Sequence, residues 1–367
     1  MMKKRILIID DEESVRDFMK KILTRSGYTI FTASDGREAI EMLGTVYVDL
    51  IILDMNMPNM NGIDVLRHIR ENNLTNKPVL MVSGSHDSDL RTESYRLGAY
   101  DFITKPEHTE VMLKRIENGL KIGEILDFNE FMKVELFMAK KLQKYIFPEP
   151  ENISEYIDIY AWNFPLSDIG GDLYDYIHFR NNKILLFVAD VSGHSISASM
   201  FTAIVKMVFR NAVKTTEDPG EIMTIVNHEL SMSLPVESFV TMFCCLVDGE
   251  TGSICYSNAG HPKPCIIGKD KYVELTENDP FLGPIKDTKY TSFNASLEKD
   301  EILFIYTDGL LDLIDDEFRQ VKPEVFINML TEKKFNGKKS FDELTALISD
   351  RRYIRSDDCT VMILRKK

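Results

Sequence analysis

The sequence has few cysteines, and their spacing excludes the common structural zinc sites. The 367 residues include five cysteines, an odd number, with no C-x-x-C pair among them. Neither a zinc cluster nor a complete disulfide framework is indicated. The cysteines lie in apolar surroundings, so we expect buried, reduced thiols in a cytoplasmic protein. They are Cys244, Cys245, Cys255, Cys265 and Cys359.

Long hydrophobic runs and an excess of positive charge are also missing. No apolar run approaches the roughly 18 residues that span a bilayer. The N-terminal basic residues precede an apolar run of only four residues, 6–9, which predicts a first strand rather than a signal peptide. Lys and Arg number 44 against 58 Asp and Glu, a net charge of -14. This charge opposes binding to nucleic acid or anionic lipid, and a DNA-binding regulator would lack its basic face. We expect neither partner.

Proline is absent from residues 107–147, which contain only two glycines, Gly119 and Gly123. A continuous helix of that length would run about 60 Å, which is typical of a connector. The two glycines could form a hinge. Apolar residues repeat at spacings of three and four, as in a coiled coil that would make the protein a homodimer; a helix packed on the second domain's own surface remains the alternative. The repeating residues are Ile125, Phe128, Met132, Met138, Leu142 and Tyr145.

Strand-like and helix-like stretches alternate from residue 5 to about residue 120. The strand-like stretches read RILIID, TIFTA, DLIILD, PVLMVS and DFIT. Five such units with short connections predict a doubly wound, five-stranded parallel sheet covered by helices on both faces. Ligands in this architecture bind outside the carboxyl ends of the strands.

Polar residues follow these strands at that edge. Asp10 and Asp11 follow the first strand, Asp54 ends the third, Ser83 ends the fourth and Lys105 follows the fifth. Two aspartates could hold Mg²⁺ beside a third that accepts a phosphoryl group, while the ammonium and the hydroxyl would offset or bind its oxygens. The alternative is that these residues are helix caps and surface charges on an ordinary α/β sheet.

Four segments, IIDDEE, LDMNMPNMNG, MVSG and ITKP, occur in order and at suitable separations. Residues 1–121 therefore resemble the receiver domain of two-component response regulators. The resemblance implies a phosphoacceptor, Asp54, and a sensor histidine kinase or phosphotransfer protein as partner. The Mg²⁺ ligands that it implies are Asp10, Asp11, Asp54 and the backbone carbonyl of Asn56. The switch residues that it implies are Ser83, Phe102 and Lys105, with Phe102 where the family often has Tyr.

From residue 153 the pattern changes to strands separated by turns. Helical patterns occur only at about 195–214, 219–233, 323–332 and 341–350, which predicts mixed sheets flanked by helices. The strand-like stretches read IDIYAWNF, YDYIHF, KILLFVAD, FVTMFCCLV, SICYSNAG, KPCIIG, EILFIYTDG and CTVMILR.

The segment LLFVADVSGHSISASM places an acid, Asp190, at the end of a buried strand and before a helix. Met200, Ile204 and Val208, spaced by four, predict the buried face of that helix. A lone aspartate there would most often be a helix cap. Three further acids lie at the edges of apolar runs or in glycine turns, and a cluster of all four would need cations, with oxygen ligands favouring Mg²⁺ or Mn²⁺. They are Asp172, Asp308 and Asp357.

The motifs GGDLYDY, VADVSGHSISASM, NAGHPKP, YTDGLLD and SDDCTVMIL together resemble the PPM-type, metal-dependent serine/threonine phosphatases, in particular their SpoIIE-like bacterial branch. The resemblance implies an α+β domain with an α/β/β/α sandwich. It implies that Asp190 bridges two Mn²⁺ or Mg²⁺ ions and that the carbonyl of Val191 completes one site. Asp308 and Asp357 would bind the second ion, and Asp172 would act through ordered water.

Four further residues lie within these motifs. Asp358 is expected to orient rather than ligate. His194 could be a general acid, but its spacing from Asp190 favours a turn residue, as does the context of His261. Ser195 departs from the Gly that usually follows the Ser-Gly-His triplet.

The sequence therefore predicts a receiver at 1–121, a helical linker at 122–150 and a phosphatase domain at 151–367. The predicted function is a response regulator whose receiver controls dephosphorylation of a phosphoserine or phosphothreonine protein. By resemblance, the substrate is an anti-sigma-factor antagonist. The alternative is a catalytically inactive, phosphatase-like adaptor that binds a partner under receiver control.

Overall fold

The computed structural model describes residues 3–84, 88–105, 107–193, 196–235, 237–269, 271–333 and 335–367. The chain divides into two compact units, Met1–Glu135 and Leu136–Lys367. One long helix passes through the boundary between them. In the described part of the chain, no helix is both long and apolar enough to cross a membrane.

The first unit is built on a five-stranded sheet in the order β2-β1-β3-β4-β5, with every pairing parallel. β1, β3 and β4 are buried almost throughout, as continuous apolar strands between two helical layers should be. The predicted five-stranded α/β fold is therefore confirmed. Its strands are β1 (Arg5–Ile9), β2 (Thr29–Ala33), β3 (Leu50–Asp54), β4 (Val79–Ser83) and β5 (Asp101–Thr104). The helices between them are α1 (Glu13–Arg25), α2 (Gly36–Leu43), α3 (Gly62–Glu71) and α4 (Ser88–Arg96).

The predicted connector is a continuous helix, α5 (Thr109–Lys144), of 36 residues. Gly119 and Gly123 lie buried inside it and do not form a hinge. A Cβ on Gly119 would lie 2.5 Å from the Leu50 side chain, and one on Gly123 would lie 3.1 Å from the Asp49 carbonyl oxygen. The two glycines therefore allow the helix to approach the receiver sheet closely.

The second unit contains a five-stranded sheet, β14-β11-β10-β9-β8, and a six-stranded sheet, β13-β12-β15-β16-β7-β6, within the described residues. Three short strands, β6, β13 and β14, had no clear signal in the sequence. The strands are β6 (Glu151–Ile153), β7 (Ile157–Phe164), β8 (Asp172–His178), β9 (Lys183–Val191), β10 (Val240–Asp248), β11 (Ser253–Ala259), β12 (Cys265–Ile267), β13 (Tyr272–Glu274), β14 (Phe293–Ser296), β15 (Ile302–Tyr306) and β16 (Cys359–Lys366). The helices are α6 (Ile196–Ala212), α7 (Pro219–Ser233), α8 (Glu324–Lys333) and α9 (Lys338–Ile348).

These elements form four layers. One apolar core lies between the two sheets, a second between the five-stranded sheet and α6 and α7, and a third between the six-stranded sheet and α8 and α9. β9 shows how the sequence achieves this. Leu186 and Val188 face the other sheet, whereas Leu185 and Phe187 face the helices, because successive side chains point to opposite faces. The predicted α/β/β/α sandwich is confirmed.

The buried face of α6 differs from the prediction. Met200 is 69% exposed, and Ile204 and Val208 are only partly buried. The buried face instead carries Val205 and Phe209, which pack on the five-stranded sheet. The prediction selected a row adjacent to the true one because α6 is apolar on more than one side.

Candidate functional site

In the first unit, three predicted residues meet at the carboxyl edge of the parallel sheet. The Lys105 Nζ atom lies 2.6 Å from Asp54 Oδ1 and 2.9 Å from Asp10 Oδ2. Asp10 and Asp54 are buried, and the backbone N–H of Asn56 donates to Asp54 Oδ2 at 2.9 Å. β1 and β3 are adjacent in the sheet, so their ends bring the two carboxylates together.

Burial governs the electrostatics of this edge of the sheet, which we call the receiver rim. It raises the pKa of the Asp54 carboxyl, while hydrogen bonding from Lys105 opposes that rise. Burial alone would lower the pKa of Lys105, but its hydrogen bonds to Asp54 and Asp10 outweigh burial and raise it. Lys105 therefore remains charged beside a carboxylate that has little water around it.

The remaining predicted residues of the receiver lie around this rim in different environments. Asp11 is exposed directly after buried Asp10. Ser83 is buried at the end of β4. Phe102 is 4% exposed and packs edge-on against Tyr95, with ring centroids 5.0 Å apart.

In the second unit, the rows of side chains that fill the space between the two sheets become polar at one end. The row of β9 continues from Leu186 and Val188 to Asp190, and the row of β15 continues from Ile305 to Thr307. On the neighbouring strands, alternate side chains also face the opposite sheet. This alternation brings five further polar residues to the same end, namely Asn163, Asp172, Thr241, Asp358 and Thr360.

The predicted acids gather there. Asp172 and Asp190 are directly opposite in the β8–β9 pairing, so their side chains share one face. Asp308 begins the turn that follows β15, and Asp357 precedes β16, the neighbour of β15. The order of the strands thus collects residues that are far apart in sequence.

Their ionisation reflects this crowding. Burial raises the pKa of Asp190 to about 8, and the charges of Asp308, Asp357 and Asp358 act in the same direction. Burial also raises the pKa of Asp172, as does the charge of Asp190. Asp308 shifts upward for the same two reasons, burial and then the charge of Asp357.

Asp358 holds the GGD loop in place. Its Oδ1 accepts a hydrogen bond from the N–H of Leu166 and its Oδ2 accepts one from the N–H of Gly171, both at 2.6 Å. A Cβ on Gly170 would lie 2.6 Å from the same carboxylate, and one on Gly309 would lie 1.8 Å from the Asp358 carbonyl oxygen. The glycines of GGD and DGL are therefore needed for close packing around Asp358.

Two residues with no predicted role bind Asp172. Its Oδ2 accepts hydrogen bonds from Thr307 Oγ1 at 2.8 Å and Thr360 Oγ1 at 2.7 Å. Both threonines are fully buried. In the sequence, the signal for both was a hydroxyl residue at a core-facing position beside an acidic motif. Thr307 directly precedes Asp308 in YTDG, and Thr360 lies two residues after Asp358 in DDCT.

Buried oxygen atoms in this cluster suit divalent cations. Among the described residues, Asp172 Oδ1 and Asp308 Oδ1 are buried without a hydrogen-bond partner. Burial and mutual repulsion raise the pKa values of these carboxylates, and a bound cation would offset the repulsion. Carboxylate oxygens are ligands that favour Mg²⁺ or Mn²⁺. The acids do not form a tight ligand set in advance: the described residues include no group of three acidic, His or Cys side chains spaced to hold an ion.

The histidines differ in environment. His261 is buried, with Nδ1 3.0 Å from Thr241 Oγ1, and its backbone N–H donates to Asn258 Oδ1. Burial lowers the pKa of His261 to about 3. Its place in a turn agrees with the expectation from sequence. His194 and Ser195 lie outside the described residues.

The fold and the two acidic clusters define a receiver domain in one unit and a phosphatase-type domain in the other. The chain belongs to the family described as "Stage II sporulation protein E (SpoIIE)", whose model matches residues 180–367. The model of the "Response regulator receiver domain" matches residues 6–117.

Individual proteins resemble parts of the chain. The transcriptional regulatory protein PhoP of alkaline phosphatase synthesis, from Bacillus subtilis, is 37% identical over 132 residues, which is 36% of this chain and 55% of that protein. The chain likewise covers only 48% of the cell cycle transcriptional regulator CtrA of Caulobacter vibrioides, so it spans about half the length of these two relatives.

Two solved structures share the fold of the second unit. The SiaA-PP2C domain of Pseudomonas aeruginosa has a TM-score of 0.57 at 18% identity, covering 65% of this chain and 98% of that one. A structure of the PP2C phosphatase domain of SpoIIE from Bacillus subtilis, with a fragment of its regulatory domain, has a TM-score of 0.50 at 16% identity, covering 58% and 64%.

Proposed function

We propose that this protein is a response regulator in which phosphorylation of Asp54 controls a metal-dependent phosphatase acting on phosphoserine or phosphothreonine of a protein. The observation that carries the proposal is the buried acidic cluster at one end of the sandwich. Asp172 and Asp190 face each other across adjacent strands, and burial together with neighbouring charge raises the pKa of Asp190 to about 8. Such a cluster is costly to keep without cations.

In the phosphatase unit, the proposed ligands are Asp190, the carbonyl of Val191, Asp308 and Asp357, with Asp172 acting through ordered water. Two bound Mn²⁺ or Mg²⁺ ions would supply a water of lowered pKa and neutralise phosphoryl charge. The protein's own contribution is to hold its carboxylates in fixed directions. Asp358 does this through the GGD loop, since both of its oxygens accept backbone N–H groups.

In the receiver, the proposed Mg²⁺ ligands are Asp10, Asp11, Asp54 and the carbonyl of Asn56. Lys105 would bind the transferred phosphoryl group, because its ammonium already lies between Asp10 and Asp54. Ser83 and Phe102 would form the switch pair. A sensor histidine kinase or a phosphotransfer protein would supply the phosphoryl group.

The proposed substrate is a phosphorylated anti-sigma-factor antagonist, and the proposed assembly is a homodimer through α5. Membership of the SpoIIE family supports the substrate class. Support for the dimer comes from apolar side chains left in solvent along one helix. Among them are Phe128 at 62%, Met138 at 52% and Leu142 at 69% exposure.

The deciding experiment measures hydrolysis of a phosphoserine protein and of an aryl phosphate with and without Mn²⁺. Asp190→Ala and Asp308→Ala should each abolish turnover, since each removes charge and an oxygen ligand. Asp287→Ala, which removes an exposed carboxylate from a surface loop, is the matched control and should retain the wild-type rate. Full activity in both site variants, or in excess chelator, would contradict the proposed metal-dependent phosphatase activity. Bound metal without turnover would favour the alternative, a catalytically inactive adaptor that binds a partner.

A further inference from the structure

The hydroxyl groups of Thr307 and Thr360 have only one direction in which to donate. Thr307 Oγ1 accepts the backbone N–H of Thr360 at 2.8 Å. Thr360 Oγ1 accepts a side-chain N–H of Asn163 at 2.8 Å. A hydroxyl has one hydrogen, and an N–H that points at its oxygen leaves that hydrogen for another acceptor. For both threonines, that acceptor is Asp172 Oδ2.

The arrangement distinguishes the two oxygens of one carboxylate. Asp172 Oδ2 receives two O–H donors, whereas Oδ1 is buried with no partner among the described residues. Asp172 itself is 1% exposed, so the carboxylate has almost no contact with bulk water. Turning the carboxylate out of this orientation would move an oxygen away from both hydroxyls, and a buried hydroxyl without an acceptor is unfavourable.

The two hydroxyls also connect the sheets. Asp172 belongs to β8 of the five-stranded sheet, while Thr307 follows β15 and Thr360 lies in β16 of the six-stranded sheet. Asp308 directly follows Thr307, so the same contact fixes the spacing between acids from opposite sheets. Position and orientation of Asp172 are thus set together.

We propose that Thr307 and Thr360 are positioning residues that anchor Asp172 Oδ2 and thereby present Oδ1 to the divalent-cation site. Asn163 donates a hydrogen bond to the hydroxyl oxygen of Thr360 and so directs the hydroxyl hydrogen toward Asp172. This inference rests on the proposed metal-dependent function. It adds a determinant of metal affinity that lies outside the acidic residues.

The test replaces each hydroxyl by a methyl group of similar size. In Thr307→Val and Thr360→Val, Mn²⁺ binding by the full-length protein is measured by isothermal titration calorimetry. Loss of one hydrogen bond to a charged group should weaken binding about tenfold to hundredfold. Thr360→Ser keeps the donor and should restore affinity close to wild type. Thr331→Val removes a hydroxyl that bonds within α8, to the Ile327 carbonyl, and should bind Mn²⁺ as wild type does.

A purely structural role predicts a different result. In that case both valine variants would have lower thermal stability without metal but the same Mn²⁺ affinity and stoichiometry, and that outcome would overturn the proposal. If either variant fails to fold, Asn163→Ala supplies the second route, since it frees the Thr360 hydroxyl without touching Asp172. Wild-type affinity in Asn163→Ala and in the folded valine variant would equally overturn it. Absence of Mn²⁺ binding in wild type would instead contradict the proposed function.

Discussion

The side chain of Gln143, in the last turn of α5, forms two hydrogen bonds with the backbone of Gly170. Its Nε2 donates to the Gly170 carbonyl at 2.6 Å, and its Oε1 accepts the Gly170 N–H at 3.3 Å. Gly170 is two residues from Asp172. The end of the connector is therefore bonded directly to the loop that carries an acid of the candidate metal site, which gives the helix a route for influencing that site.

This contact leads to a first prediction, that Gln143→Ala reduces the phosphatase rate about tenfold at subsaturating Mn²⁺, since it removes two hydrogen bonds of about 0.5–1.5 kcal/mol each. The variant should also respond less to phosphorylation of Asp54. Steady-state rates across a Mn²⁺ titration provide the measurement. Lys144→Ala, which changes the adjacent exposed residue, should behave as wild type. Equal rates in both variants would show that the loop is positioned without the helix.

The second prediction concerns the receiver rim. A small-molecule phosphodonor with Mg²⁺ should add one phosphoryl group to the wild-type chain and none to Asp54→Asn, as measured by intact mass. Asp17→Asn, an exposed carboxylate on α1, is the control and should still be modified. Lys105→Ala should still be phosphorylated, but its phosphorylation should not change the phosphatase rate. Without the Lys105 ammonium, the phosphoryl group is no longer held against the loops. Base-labile label on Asp54→Asn would refute the assignment.

The third prediction tests the exposed apolar surface of α5. Besides the apolar residues predicted to repeat along this helix, Phe131, Val134 and Phe137 are more than half exposed, so the exposed apolar surface is wider than expected. Met132→Glu and Leu142→Glu should dissociate a dimer, because pairing would bury their charge. Light scattering with size-exclusion chromatography reads out the mass. Lys133→Glu, on the same helix but polar already, should leave the mass unchanged. If Met132→Glu and Leu142→Glu both keep the wild-type mass, as the control does, α5 is not the dimer interface.

The fourth prediction concerns pH. Burial lowers the pKa of His261 to about 3 from its ordinary value of 6.5. The unfolded chain therefore binds a proton below pH 6.5 that the folded chain excludes, and stability should fall as pH drops toward 3, by up to about 1.4 kcal/mol per pH unit from this residue. The chain has one tryptophan, Trp162 in β7, so its fluorescence follows unfolding of the phosphatase unit alone.

Urea unfolding between pH 5 and pH 7.5 can isolate this contribution. His261→Asn retains a polar atom near Thr241 but does not titrate, so its stability should depend less on pH than that of wild type. His228→Asn removes an exposed histidine from α7 and should keep the wild-type slope. A slope that is the same in all three proteins would rule out His261 as the source.

The sequence by itself determined the two units and most of their elements. Apolar runs such as ILII and LIIL in the receiver, each followed directly by an acid, predicted buried strands, and the proline-free stretch predicted the continuous helix α5. Motifs at the strand ends also identified the acids, because a polar residue that closes an apolar run must lie at an edge of the sheet. The same local rules could not choose the buried face of α6, since that helix has apolar residues on several sides.

Only the tertiary structure decided which distant residues meet. Thr307 and Asp172 are 135 residues apart in the chain, and Gln143 in α5 is 27 residues from Gly170 in the loop before β8. No periodicity within a strand specifies the partner of its side chains in another sheet. The glycines of α5 illustrate the same limit. Their sequence suggested a hinge, whereas packing against Leu50 and Asp49 makes them close-contact positions, because the meaning of a missing Cβ depends on what lies opposite it.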